Sequence, residues 1–200
     1  MLHVLIDAGH GVQTQGKCSP DGVIKEYQYT RNLATAIYTE LLQYDNIHPI
    51  LITPELQDIP LTTRVQRINS YCKQYGAKNC IMISIHLNAA GNGEWKRASG
   101  WEAYTTPGNN NSDRLCTYLY FYASSILKGQ KIRTDYTDKD PDKEANFYII
   151  RGSNCPAVLT ESFFMDSKHD YNYLLSDKGF DSIVEVHVKA ILKWAEVSCL

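Results

Sequence analysis

Three short apolar runs, each stopping at a polar group, constrain this chain more than any other feature. The first, Leu2-His3-Val4-Leu5-Ile6, stops at Asp7-Ala8-Gly9-His10-Gly11. The second, Asn79-Cys80-Ile81-Met82-Ile83-Ser84-Ile85, stops at His86, and the third, Cys155-Pro156-Ala157-Val158-Leu159-Thr160, stops at Glu161-Ser162. Runs of β-branched and leucine residues of this length read as strands covered on both faces. Helical patterns alternate with them, which makes an α/β domain whose polar sites lie where the strands end. Gly9 and Gly11 allow a sharp turn, leaving His10 at that rim.

The intervening stretches supply the other elements. A loop over 12–25, containing the turn Ser19-Pro20-Asp21-Gly22, leads to a helix opened by Glu26. Leu33, Ile37 and Leu41, with Ala34 and Leu42 beside them, form its apolar face, and Glu26 lies where the macrodipole favours an anion. Residues 48–53 read as a second strand, with Pro49 at an edge or a strand start. Thr62 or Thr63 is expected to cap a helix with Val65, Ile68 and Cys72 inward, closed by Gly76. Arg64 and Arg67 lie in its first turns, against the dipole; either they answer carboxylates elsewhere or they are solvated.

Residues 100–105 and 146–151 read as strands, and 128–145 as an exposed loop. Asn111 or Ser112 is expected to cap a helix with Leu115, Tyr118, Leu119, Tyr122 and Ile126 inward. Asp166 or Ser167 should cap a short helix to Leu175. A last helix runs from Ser176 to about Val197 with Phe180, Ile183, Ala190, Ile191 and Trp194 inward. His187, on its inward phase, reads as a hydrogen-bonded core histidine; His3, His48 and His169 have no partner pattern.

A chain of 200 residues is expected to form one domain, 1–200, with a core of its own. The formal net charge of −2 argues against nucleic acid as a partner, and no apolar run approaches membrane-spanning length. No basic stretch, apolar stretch and cleavage site precede the first strand, so no signal peptide is expected. Cys18, Cys72, Cys80, Cys116, Cys155 and Cys199 are scattered without a C-x-x-C pair and read as free thiols, Cys80 and Cys116 as small core residues.

His10, His86 and Glu161 end three strands, and Glu26 begins the helix after the first loop. Two neutral imidazoles and a carboxylate make a catalytic zinc set with one position open for water, whose pKa falls to about 7. A free carboxylate beside it takes the proton and returns it to the leaving amine, a role that suits Glu161. Asp7 is placed to orient an imidazole from behind. Strand alternation puts Asn88 on the same side as His86. Each residue alone has a plainer reading: His10 as a helix cap, His86 as a polar strand end, Glu26 as a helix-start acid, Glu161 as a surface carboxylate.

Taken together the residues resemble the zinc-dependent N-acetylmuramoyl-L-alanine amidases of the amidase type 3 family. The matching pieces are Ile6-Asp7-Ala8-Gly9-His10-Gly11, Lys25-Glu26, residues 61–69, Ser84-Ile85-His86-Leu87-Asn88-Ala89, Gly100-Trp101-Glu102-Ala103-Tyr104 and residues 159–165, in the family's order. The resemblance implies a twisted, mostly parallel or mixed sheet of about six strands with helices on both faces, of the phosphorylase/hydrolase-like kind. It implies one zinc ion held by His10, Glu26 and His86, with Glu161 as the catalytic carboxylate. Asp7, Asn88 and Glu102 are carried as candidates for substrate contact or for support of the metal ligands. The implied partner is peptidoglycan, glycan strand plus stem peptide, cut at the amide between N-acetylmuramic acid and L-alanine by a monomer.

The chain departs from the family pattern in three places. Val12 follows Gly11 and opens a long loop. Residues 88–100 are too few for the self-blocking helix of some cell-division members, so an open site is expected. No wall-binding module and no export signal are expected, which suits a holin-released phage lysin or an exported bacterial enzyme whose leader has been removed. Two rival functions are a zinc peptidase cutting within the stem peptide and a non-catalytic wall-binding relative.

Overall fold

A computed structural model describes residues 1–137 and 139–198. Its sheet has the order β2-β1-β3-β6-β4-β5. The strands are β1 (Leu2–Ala8), β2 (Ile47–Leu51), β3 (Cys80–Asn88), β4 (Glu102–Thr105), β5 (Lys143–Glu144) and β6 (Ala157–Phe164). The pairs β2–β1, β1–β3 and β3–β6 are parallel, and β4 runs antiparallel to β6. The three long apolar runs therefore lie side by side as β1, β3 and β6. Pro49 sits on the edge strand β2, where its missing N–H costs no sheet bond.

Side-chain alternation splits the core into two layers. Val4, Ile6, Ile81, Ile83, Ile85 and Val158 face one layer with Leu33 and Ile37 of α1 (Glu26–Leu41). Leu115 and Leu119 of α3 (Asn111–Ile126) and Ile183 and Ile191 of α6 (Asp177–Ser198) complete that layer. Leu5, Met82 and Leu159 face the other, with Val65, Ile68 and Cys72 of α2 (Leu61–Tyr75) and Ile149 and Ile150 of α4 (Tyr148–Arg151). The short α5 (Lys168–Leu174) precedes α6. His187 is buried as expected: its Nδ1 bonds the Ile183 carbonyl at 2.8 Å and its Nε2 meets Thr160 Oγ1 at 3.0 Å. The five described cysteines are free, and Cys199 lies outside the described residues.

Several local expectations change. Residues 146–151 are not a strand. Ile149 and Ile150 are both buried in the α2-side layer, and neighbours in an extended chain point to opposite faces. A helical turn, α4, places both on one side. The helix α2 starts at Leu61 after Pro60, so Thr62 and Thr63 lie inside its first turn and cap nothing. The helix α3 is capped one residue earlier, by Asn110, whose side chain accepts from the Ser112 amide while Asp113 accepts from the Asn110 amide.

Leu42 is 56 % exposed, because the helix ends at Leu41. Ser167 precedes α5 without a side-chain cap bond, and Asp166 turns away to accept from the amides of Ala90 and Gly91 at 2.8 Å each. The stretch 128–145 is not wholly exposed: it contains β5 and the buried Asp142. Between β3 and β4 no helix forms among the described residues, in keeping with the short connection.

Candidate metal centre and catalytic cleft

Parity places the site. Asp7, Ser84, His86, Glu161 and Glu102 share the sheet face that α2 and α4 cover, and the last of each strand's polar residues stands at the open rim. His86 and Glu161 are register partners on β3 and β6, and Glu161 and Glu102 are partners on β6 and β4. Between the rim and α2 lies a cleft of about 490 Å³. Its floor is His10, His86 and Glu161, and its walls are Ile59, Pro60 and Leu61 on one side and Phe147, Tyr148 and Ile149 on the other.

The turn after β1 differs from the expectation in an instructive way. His10 itself takes the left-handed conformation, φ 60°, while Gly9 and Gly11 are needed for close approach. A Cβ on Gly9 would stand 2.5 Å from the His86 ring, and one on Gly11 would run into the backbone of Asp58. Holding a non-glycine residue there costs about 1–3 kcal/mol, so the surroundings must fix it. Two guanidiniums do: the His10 carbonyl accepts from Arg31 Nη2 at 2.9 Å and from Arg64 Nη2 at 3.0 Å.

Glu26, at the first residue of α1, lies between the two imidazoles. Its Oε1 meets His86 Nδ1 at 3.1 Å and accepts from the Leu87 amide at 3.1 Å; its Oε2 faces His10 Nε2 at 3.3 Å. Burial pushes the Glu26 carboxyl up, but the paired histidines outweigh it and hold it at about 2. The same partnership raises His86 despite its own burial. One atom from each of His10, Glu26 and His86 lies within 4.8 Å of the others, and Glu26 Oε2 is buried without a hydrogen-bond partner. Two nitrogens and one carboxylate oxygen converging on an open cleft fit a tetrahedral zinc position with one site left free.

Glu161 stands beside this group. Its Oε2 is buried and has no partner. Burial pushes its carboxyl up to about 8, with His86 opposing and the charges of Glu26 and Glu102 adding to it. Glu102 is the contrary case. It accepts from Asn88 Nδ2 at 2.7 Å, Tyr104 OH at 2.9 Å, Arg133 Nε at 2.6 Å and Lys143 Nζ at 2.6 Å, and is held ionised although burial opposes it.

The structure brings His10, Glu26, His86 and Glu161 together, with Asn88 and Glu102 adjoining them. Asp7 is elsewhere in its bonding: its Oδ1 pairs with Arg64 Nη1 at 3.0 Å and its Oδ2 accepts from Ser84 Oγ at 2.7 Å, so it anchors Arg64 rather than bonding an imidazole. Arg64 and Arg67 both answer carboxylates, Arg67 by a fork onto Glu55. Sequence reasoning missed Arg31, whose signal was a charged residue on the apolar phase of α1, and missed the Phe147–Tyr148 wall by reading it as strand.

Fold and site together define a class: an α/β domain with a six-stranded mixed sheet whose polar groups gather where parallel strands end, with paired imidazoles and carboxylates at the mouth of a cleft. The family model described as N-acetylmuramoyl-L-alanine amidase matches residues 4–193, and the chain belongs to that family. It is 32 % identical over 194 residues to N-acetylmuramoyl-L-alanine amidase CwlM of Bacillus licheniformis, covering 96 % of this chain and 68 % of that protein. Its fold is shared with the N-acetylmuramoyl-L-alanine amidase of Clostridium difficile 630, with a TM-score of 0.84, 24 % identity, and coverage of 98 % of this chain and 97 % of the other. The catalytic domain of CwlV from Bacillus (Paenibacillus) polymyxa var. colistinus gives a TM-score of 0.82 at 21 % identity, covering 98 % and 99 %.

Proposed function

We propose that this chain hydrolyses the amide joining N-acetylmuramic acid to L-alanine in peptidoglycan, with one zinc ion held by His10, Glu26 and His86 and with Glu161 as general base and acid. The observation that carries the reading is Glu161: a buried carboxylate with an unpartnered oxygen, register-opposite His86, at the floor of the cleft. Zinc bound to the three side chains would supply a Lewis acid that polarises the amide carbonyl and makes water nucleophilic near neutral pH. The positive charge of the bound ion would bring the Glu161 carboxyl down from its raised value, so that it is ionised, takes the proton of the attacking water and delivers it to the amide nitrogen as the C–N bond breaks. The products are the lactyl carboxylate on the glycan and a stem peptide with a free L-alanine amine. Glu102, saturated by four donors, keeps a fixed negative charge beside Glu161 and stays out of the proton transfer. Ile59, Leu61, Phe147 and Tyr148 give the cleft apolar walls beside the reacting group.

Mass analysis of digested sacculi tests this. Intact stem peptides released from unbroken glycan, and no release in chelator, are the expected result. Cuts inside the stem peptide would assign a peptidase instead. Binding to sacculi without any product would assign a wall-binding relative.

A further inference from the structure

Strand order sets out a row of groups across the open rim: His10 after β1, His86 on β3, Glu161 on β6, Glu102 on β4 and Lys143 on β5. Arg133 joins the far end of this row. Its N–H donates to the Trp101 carbonyl at 2.9 Å and its carbonyl accepts from Tyr120 OH at 2.9 Å, which fixes its main chain beside the start of β4. Its guanidinium carbon lies 5.2 Å from the Phe164 ring centroid, at the rim end of β6. Arg133 Nε donates to Glu102 Oε2 at 2.6 Å, and Lys143 Nζ meets the same oxygen at 2.6 Å. Two cations thus answer one carboxylate, which leaves one positive charge over. Among the described residues, Nη1 and Nη2 of Arg133 have no hydrogen-bond partner. The Arg133 and Lys143 side chains are 28 % and 23 % exposed, so both reach solvent. A guanidinium with both terminal nitrogens open is a fork that fits a carboxylate.

We propose that Arg133, with Lys143 beside it, forms the subsite for a free carboxylate of the stem peptide, borne by the residue after the L-alanine; this rests on the amidase reading above. Charge decides which half of the substrate lies there. On the glycan side the sugar nitrogen is acetylated and the lactyl carboxyl is tied up in the scissile amide, so that half is neutral. The carboxylates belong to the stem peptide. Length agrees. Neighbouring strands stand about 4.8 Å apart, which separates Glu102 from its register partner Glu161, and Arg133 Nε lies 2.6 Å beyond the Glu102 carboxylate. An extended residue advances about 3.5 Å, so L-alanine and the residue after it span that interval from the scissile bond. Glu102 occupies the Nε side of the guanidinium and leaves the Nη pair for the ligand. A carboxamide in the same place offers one neutral acceptor instead of two charged ones, and binds less well.

The test uses the whole zinc-loaded protein and two soluble muramoyl peptides that differ only in the second residue, D-isoglutamate with a free carboxylate in one and D-isoglutamine, its carboxamide, in the other. The parent's kcat/KM should favour the carboxylate by about tenfold or more, mainly through KM, the scale of a charge-assisted pair. Calorimetry on Glu161→Gln, which should bind without cutting, should show the same preference in Kd. Arg133→Gln should bring the ratio of kcat/KM values close to one by weakening the carboxylate substrate alone, and Arg133→Lys should recover part of it. Lys143→Gln should lower the ratio in the same direction, and serves if Arg133→Gln does not fold. Lys193→Gln, on α6, should keep the parent's ratio. Equal kcat/KM for the two peptides in the parent would overturn the proposal and leave the amidase reading standing. An equal loss on both peptides in Arg133→Gln would also overturn it, and would assign the guanidinium to holding Glu102 alone. A zinc-loaded protein that cuts neither peptide nor sacculi would overturn the amidase reading and this inference with it.

Discussion

Arg64 Nη2 donates to the carbonyl oxygen of His10 at 3.0 Å, and the same guanidinium binds Asp7 Oδ1 through Nη1, also at 3.0 Å. An α2 side chain thus fixes both the end of β1 and the left-handed turn that presents the first imidazole. Lysine keeps the charge but has no fork, so it cannot span both acceptors. Arg64→Lys should weaken zinc binding by about tenfold, the usual scale for losing a group that orients a metal ligand, as read by competition with a chelator. Arg64→Leu leaves Asp7 buried without its cation and should cost about 3–5 kcal/mol in urea unfolding.

Gly9→Ala tests the close approach between the first turn and β3. The new Cβ would meet the His86 ring at 2.5 Å, so the ring must leave its place beside Glu26. The variant should keep its far-ultraviolet circular dichroism while losing zinc, measured by metal analysis. Full zinc content would show that the ring has room to spare.

Asn110→Ala tests the capping box that opens α3. Losing the side chain that accepts from the Ser112 amide should lower stability by about 1 kcal/mol. Alanine at Asn111, the position the sequence pattern suggested, should change it far less. Thermal unfolding of the two variants separates them.

His187 gives a pH dependence with a definite sign. Burial, only partly offset by the Ile183 carbonyl, lowers its pKa from 6.5 to about 4. The folded protein then binds fewer protons than the unfolded chain between those values. The stability it contributes is complete above about 6.5 and is lost as pH falls towards about 4, to a total of about 3 kcal/mol. His187→Gln should flatten that part of the pH profile of urea unfolding.

Much of this arrangement is legible in the residues, and what is not has physical causes. The strands β1, β3 and β6 are evident because burial on both faces demands continuous apolar runs, and each run ends on the polar group that reaches the rim. Glu26 is evident from its place at a helix start. The stretch 146–151 misleads because two isoleucines in a row suit either a covered strand or a helical turn, and only the α2 surface decides between them. Arg31 and the Asp7–Arg64 pair escape notice because their partners are backbone carbonyls or residues more than fifty positions away. Asp142 escapes because an acidic stretch carries no sign that one of its members is buried.

The account depends on three side chains gripping one metal while Glu161 stays free for the proton. Zinc content and hydrolysis of sacculi, measured together on Glu161→Gln and His86→Ala, test this most directly. The first should retain about one zinc per chain and lose nearly all turnover; the second should lose both. A Glu161→Gln enzyme that cleaves at the parent rate, or a His86→Ala protein that keeps its zinc, would contradict it.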